Sequence, residues 1–301
     1  MNDESRGPET TPSSSTASGA PGRVGVLGGG RMGAGIAHAF LLAGSRVTVV
    51  ERDADAATAA ATRVLESVDA SIARGTADED VAAYAARFAT STAVDAFAGC
   101  DLVVEAVPED LELKIDALTR VEAVLAPGAA LASNTSSISI DQLAALLERP
   151  HRFVGLHFFN PVPASTLVEI VRGEASDPSL VDDARDWVRA IGKTPIVVAD
   201  APGFASSRLG VALGLEAIRM LEAGVASAED IDAAMTLGYK HPVGPLRLTD
   251  LVGLDVRLGI AEYLAETLGD RFEPPALLRR LVAEGKLGRK AGEGFYRWDA
   301  S

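Results

Sequence analysis

The sequence is poor in what several large classes of protein require. Its 301 residues include one cysteine, Cys100, so no disulfide forms within the chain and a reducing compartment suits it. Lysine and arginine number 28 against 42 aspartates and glutamates, a formal net charge of −14. With no basic stripe to meet a phosphate backbone, nucleic acid is excluded as a partner. No apolar run approaches the length that crosses a bilayer; residues 24–27 and 47–50 are only strand-sized. These absences argue for a cytoplasmic chain with no membrane partner. His38, His151 and His241 read as helix, turn and loop residues, and no cluster has metal-ligand spacing. Cys100 precedes an apolar strand and reads as a small buried residue rather than a nucleophile.

What is present is a chain 48% hydrophobic and 23% charged, long enough for two domains with a sizeable core. Residues 1–22 stand apart. Serine and threonine there lie among Pro, Gly and Glu, with no apolar block and no basic start. That is neither a secretory nor a transit pattern, and the expectation is a disordered tail.

The fold is expected to begin at Arg23. Val24-Gly25-Val26-Leu27 is a short buried strand that runs into Gly28-Gly29-Gly30-Arg31-Met32-Gly33. Gly28, Gly30 and Gly33 have the spacing of a dinucleotide-binding turn. The first glycine permits the tight turn, the second lets backbone approach a pyrophosphate, and the third lets helix pack on strand. Amides at the helix start then face the phosphates. A helix to Leu42, a stop at Gly44 and a second strand over 46–50 follow in order. Glu51 ends that strand, placed to accept hydrogen bonds from ribose hydroxyls and to repel a 2′-phosphate. This favours NAD over NADP, with Arg52 as the one residue that argues the other way.

Residues 54–87 read as two alanine-rich helices broken near Gly75. A further strand over 101–107 is stopped by Pro108, and Glu109 and Lys114 follow where ligands bind in open parallel sheets. For Glu105 a solvated charge at a strand end is an equal reading. Ser133-Asn134-Thr135-Ser136-Ser137 follows another strand and reads either as a holder of a substrate oxygen or as a helix cap. In Gly155-Leu156-His157-Phe158-Phe159-Asn160-Pro161-Val162-Pro163 one histidine sits among apolar residues, and Glu169 returns on the next strand. Such a pair makes imidazole a general base, the carboxylate fixing its tautomer. Spacing alone favours the plainer reading, a core histidine capping a turn beside a strand-edge glutamate.

These segments together resemble the 3-hydroxyacyl-CoA dehydrogenase family, in particular its short bacterial 3-hydroxybutyryl-CoA dehydrogenase-like members. The resemblance is carried by Gly28 to Gly35, Val104-Glu105-Ala106-Val107, Ser133 to Ser137, His157 to Pro163 and Leu167-Val168-Glu169-Ile170. It continues through Pro202-Gly203-Phe204, Gly244-Pro245, Leu287-Gly288-Arg289-Lys290 and Gly294-Phe295-Tyr296. It implies an α/β protein: a Rossmann-type doubly wound sheet over 23–199, then an all-helical substrate and dimerisation domain over 200–301.

The resemblance implies roles as well. His157 is the base that removes the hydroxyl proton, Glu169 orients it, and Ser136 hydrogen-bonds the reacting oxygen. Glu51 holds the adenosine ribose of NAD, Glu109 and Lys114 lie near its nicotinamide half, and Asn160 supports the catalytic loop. The implied substrate is an acyl-CoA thioester and the implied assembly a homodimer. Three positions depart from the family pattern. Ser207 stands before Arg208 where the family has an asparagine that contacts the reacting centre; loss of one such donor costs roughly tenfold to a thousandfold in rate. The basic hairpin that meets coenzyme A phosphates reads Ala73-Arg74-Gly75-Thr76, leaving Arg74 as the candidate. Lys240 stands where bacterial relatives often carry asparagine. The first two departures raise two alternatives: the same chemistry on a carrier-protein-bound acyl group, or nucleotide binding with little turnover.

In the second domain, helices are expected over 206–222, 228–237, 248–268 and 275–284. Leu209, Leu213, Ile218 and Leu221 form a stripe that suits either core or a dimer face.

Overall fold

The computed structural model describes residues 19–299. Two compact units emerge: one runs to Thr135 and resumes over Ile140–Val197, and the other comprises Ser136–Ser139 and the chain from Val198 onward.

The first unit is organised by an eight-stranded sheet: β1 (Arg23–Leu27), β2 (Arg46–Val50), β3 (Phe88–Ser91), β4 (Leu102–Glu105), β5 (Ala130–Ser133), β6 (Phe153–Phe158), β7 (Leu167–Arg172) and β8 (Thr194–Ala199). Their order is β3-β2-β1-β4-β5-β6-β7-β8. From β3 to β6 neighbouring strands are parallel, and β7 then runs antiparallel to β6. The central strands are short apolar runs because both faces of a parallel sheet are covered by helices. Strand order reverses between β1 and β4, the switch point at which such sheets open a crevice at their carboxyl ends.

Six helices belong to this unit: α1 (Arg31–Leu42), α2 (Ala54–Ala73), α3 (Val81–Ala85), α4 (Leu111–Val124), α5 (Ile140–Ala144) and α6 (Pro178–Ala190). Asp53 caps α2 by accepting from Ala56 N at 2.7 Å, and Asp110 caps α4 through Leu113 N at 2.8 Å. Val26, Ile36, Phe40, Val49, Val64 and Leu156 are fully buried in one core between helices and sheet. The two helices expected over 54–87 are unequal: α2 takes twenty residues and α3 five. Gly75, at a φ of 69°, ends α2 in the left-handed conformation that glycine adopts freely.

The expected tail lies for the most part outside the described residues. Of its last four, Ala20 and Pro21 are buried, and the Pro21 carbonyl accepts from Ser45 Oγ at 2.7 Å.

The second unit is helical: α7 (Ser206–Glu222), α8 (Ala228–Ala233), a π turn over Ala234–Gly238, α9 (Pro245–Val252), α10 (Leu254–Leu268) and α11 (Ala276–Ala283). The single helix expected over 248–268 is two helices. Gly253, at a φ of 106°, breaks the chain between them. Two buried aspartates hold the unit together. Asp232 caps α9, accepting from the amides of Leu246 and Arg247 at 2.8 and 2.9 Å. Asp250 accepts from the amides of Phe295 and Tyr296 and from Trp298 Nε1, tying down the C-terminal segment. The stripe on α7 divides between its two readings: Ile218 is core, whereas Leu209 is 70% exposed.

Candidate active site

The glycine turn is built as its spacing demands. A Cβ on Gly33 would lie 1.8 Å from the Gly28 carbonyl oxygen, so only glycine lets α1 pack this close to β1. Over Gly30, by contrast, nothing lies within 4 Å of where a Cβ would stand. Gly30 is also the N-cap of α1 and has no side chain to cap it, which leaves first-turn amides for an anionic ligand. Met32, in the first turn of α1, is partly buried and packs against the core. Glu51 Oε1 accepts from Gly29 N at 2.7 Å, which fixes the carboxylate beside the turn. Arg52 is drawn to Asp53 at 3.0 Å, with both side chains at the surface. An open cradle, free amides and a fixed acid fit a dinucleotide with an unphosphorylated ribose.

Glu105 is not a solvated charge. It is fully buried at the end of β4, and Lys114 reaches down from α4 to place Nζ 2.7 Å from Glu105 Oε1. Ser133 Oγ donates to the other carboxylate oxygen at 2.6 Å, and Val107 N donates to Oε1 at 2.7 Å. Lys114 also donates to the Val107 carbonyl and lies 3.3 Å from Glu109, which accepts from Thr135 Oγ1 at 2.7 Å. Lys114 therefore stiffens the carboxyl ends of β4 and β5. Such a buried ion pair persists because every partner is satisfied.

His157 and Glu169 face each other as a cross-strand pair of β6 and β7. Nδ1 of His157 lies 2.8 Å from Glu169 Oε2, with Glu169 fully buried and His157 6% exposed. An ionised carboxylate only accepts, so Nδ1 carries the proton and Nε2 keeps its lone pair. The Phe159 ring packs against the imidazole at a centroid distance of 4.5 Å. Because β1, β4, β5 and β6 run parallel, His157 near the end of β6 stands at the same sheet edge as the glycine turn after β1.

Two contacts support this loop that sequence reasoning did not assign. Asn134 Oδ1 accepts from Phe158 N at 2.9 Å, so the amide of the polar cluster holds β6 in place. Lys193 donates to the carbonyls of Val162, at 2.6 Å, and Ser165, clamping the turn between β6 and β7. A lysine after a glycine carries no sequence signal for that role. Asn160 is exposed and precedes a cis Pro161. It lines a cavity of about 430 Å³ with Arg31, Arg63, Ser67 and Val162. Arg74 is exposed just past α2, its Nη2 donating to Ser71 Oγ at 3.3 Å. Ser136 and Ser207 both belong to the second unit, Ser207 in the first turn of α7. Burial pushes the Cys100 thiol up to about 11, which removes it as a nucleophile. Among the described residues no group of side chains could hold a metal ion.

Comparison with known proteins agrees with this arrangement. Residues 23–201 match the 3-hydroxyacyl-CoA dehydrogenase NAD-binding domain, and 203–298 match the C-terminal domain of the same family. The chain is 41% identical over 276 residues to a 3-hydroxybutyryl-CoA dehydrogenase of Bradyrhizobium diazoefficiens, covering 91% of this chain and 94% of that one. It is 40% identical over 284 residues to the human mitochondrial hydroxyacyl-coenzyme A dehydrogenase, covering 91% and 90%. The crystal structure of (S)-3-hydroxybutyryl-CoA dehydrogenase from Ralstonia eutropha superposes with a TM-score of 0.89 at 39% identity, over 93% of this chain and all of the other. With an NAD-binding turn and a buried histidine–glutamate pair at one edge of its sheet, the chain belongs to the 3-hydroxyacyl-CoA dehydrogenase family and is an NAD-dependent oxidoreductase.

Proposed function

We propose that the protein interconverts (S)-3-hydroxyacyl-CoA and 3-oxoacyl-CoA. The observation that carries this is the His157–Glu169 pair, 2.8 Å apart and buried at the sheet edge that bears the dinucleotide turn. NAD, held by the glycine turn and Glu51, would supply the acceptor for the hydride on the carbon that carries the hydroxyl. Nε2 of His157 takes the hydroxyl proton, and the Glu169 carboxylate stabilises the imidazolium that results. Ser136 and Ser207 are assigned to hydrogen bonds with the substrate's oxygens. Gly28, Gly30, Gly33 and Glu51 are assigned to the adenosine and pyrophosphate half of the cofactor, with Glu109 near the nicotinamide half. Arg74 and the cavity holding Asn160, Arg31 and Arg63 are assigned to the phosphate-bearing coenzyme A handle.

The handle favours coenzyme A over a carrier protein, because Arg31 and Arg63 line a concave site. The protein is assigned to the cytoplasm as a homodimer. Exposed Leu209, Leu251, Val252 and Val256 on the second unit support the dimer, as apolar side chains that a second copy would cover; no helix among the described residues is long and apolar enough to cross a membrane. The deciding experiment compares NADH-dependent reduction of acetoacetyl-CoA with that of the same acyl group on a carrier protein. Efficient turnover of the first is expected. Preference for the carrier-bound thioester would move the assignment to specialised biosynthesis, and tight NADH binding without turnover of either would leave a nucleotide-binding protein.

A further inference from the structure

Arg23 and Arg46 open β1 and β2 and face each other in register. Arg87 immediately precedes β3, whose Phe88 pairs with Val47, so it continues the row on the far side of β2. Residues in register on parallel strands project from one face of the sheet, and neighbouring strands lie about 4.8 Å apart. Three arginines thus stand side by side across the amino end of the sheet, and all three line one cavity of about 230 Å³. Gly99 makes room there, since a Cβ on it would stand 2.7 Å from Arg23 Nη1.

Like charges that face each other across neighbouring strands repel. One of the three is neutralised: Arg87 donates from Nη1 and Nη2 to Glu79 at 2.8 and 2.9 Å. Among the described residues neither Arg23 nor Arg46 is in an ion pair, although the chain carries 42 acidic residues. Asp101 Oδ2 accepts from the Arg23 amide at 2.8 Å and not from its guanidinium. Thr48 lies two residues further along β2, on the same face, and lines the same cavity. Its hydroxyl makes no hydrogen bond among the described residues.

Two unpaired guanidinium groups and an unpaired hydroxyl in one concavity suit a group with about two negative charges. A carboxylate brings one. A phosphate monoester brings about −1.5 to −2 at neutral pH and three acceptor oxygens. The volume is smaller than the roughly 300–1,000 Å³ that encloses a drug-sized ligand, so only a small body fits beside the phosphoryl group. Gly99 and Cys100 also line an adjoining cavity of about 350 Å³, with Arg152 and Trp187, into which that body can continue.

We propose that Arg23, Arg46 and Thr48 bind the phosphoryl dianion of a small phosphate monoester at the amino end of the sheet. The glycine turn and Glu51 follow the opposite ends of β1 and β2, so this site is separate from the dinucleotide site. The bound anion cancels the repulsion between the two strand starts and stabilises the folded chain by mass action.

The test is calorimetric titration of the full-length protein, saturated with NADH to fill the glycine turn, with glycerol 3-phosphate, inorganic phosphate or acetate at matched ionic strength. Saturable binding of glycerol 3-phosphate, weaker binding of inorganic phosphate and none of acetate are expected. Arg23→Gln and Arg46→Gln should each weaken glycerol 3-phosphate by about tenfold to a hundredfold, and Arg46→Lys by less. Arg31→Gln, at the cavity beside Asn160, should keep that binding. Without ligand, both glutamine variants should melt at or above the parent Tm, because each removes one of two facing like charges. A lower Tm in both would show that the two groups already have partners and would overturn the proposal. So would no binding by the parent, equal binding of acetate, or unchanged binding in Arg23→Gln and Arg46→Gln. Loss of binding in Arg31→Gln alone would overturn it in favour of the cavity beside Asn160. Inorganic phosphate bound more tightly than glycerol 3-phosphate would overturn the monoester in favour of the free anion.

Discussion

Lys114 Nζ stands 2.7 Å from Glu105 Oε1, and neither side chain is more than 1% exposed. Two opposite charges removed from water at the ends of adjacent elements hold only as a pair. Lys114→Met leaves the Glu105 carboxylate buried with hydroxyl and amide donors but no cation. The expected cost is about 3 kcal/mol, read as a lower urea midpoint with an unchanged slope. Adding Glu105→Gln should recover part of the loss, because a neutral amide needs no counter-charge. A further loss in the double variant would show the pair to be two independent contributions.

Glu169 meets the imidazole Nδ1 of His157 at 2.8 Å, and in the proposed mechanism this contact decides which nitrogen is turned to substrate. Glu169→Gln keeps the shape and removes the charge that stabilises the imidazolium. Turnover should fall by roughly a thousandfold, while the affinity for NADH stays within a few-fold because the dinucleotide turn is untouched. Stopped-flow reduction of acetoacetyl-CoA and fluorescence titration of NADH separate the two. Wild-type turnover in this variant would remove the pair from the mechanism.

The strand partners of the site were legible in the sequence and the helix partners were not. His157 and Glu169 could be placed on successive strands, where they do pair in register, but spacing alone left a core histidine beside a strand-edge glutamate as the stronger reading, and only the resemblance carried by the rest of the chain made them a pair. The glycine turn was legible because Gly33 admits no other residue. The fate of Glu105 was not, since nothing in a helix sequence states which strand end its lysine will reach. The break at Gly253 was hidden for a related reason: apolar periodicity continues through it, and only the φ of 106° reveals that α9 and α10 are separate.

Glu51 holds Gly29 N and is assigned to the adenosine ribose. Glu51→Ser should weaken NADH by about tenfold and improve NADPH relative to it, as the repulsion of a 2′-phosphate is lifted. Ratios of kcat/KM for the two cofactors measure the effect. An unchanged ratio would mean that another group sets the preference.

His38 adds a pH dependence that has nothing to do with the chemistry. Its Nε2 lies 3.0 Å from Ser71 Oγ between α1 and α2, 3% exposed. Burial first, then the nearby charges of Arg74 and Lys193, push it down from 6.5 to about 4. The folded state therefore keeps the imidazole neutral where the unfolded chain has already taken a proton. Between those two values the unfolded state binds more protons, so stability is complete above pH 6.5 and is lost as pH falls toward 4. One pKa unit corresponds to about 1.4 kcal/mol, which makes the loss about 3 kcal/mol over the interval. Other carboxylates titrate in the same range, so the informative quantity is the difference from His38→Gln, which cannot charge. Urea unfolding of both proteins across this pH range should give curves that converge as the pH falls from 6.5 to 4. Parallel curves would mean that His38 is protonated as readily in the fold as outside it.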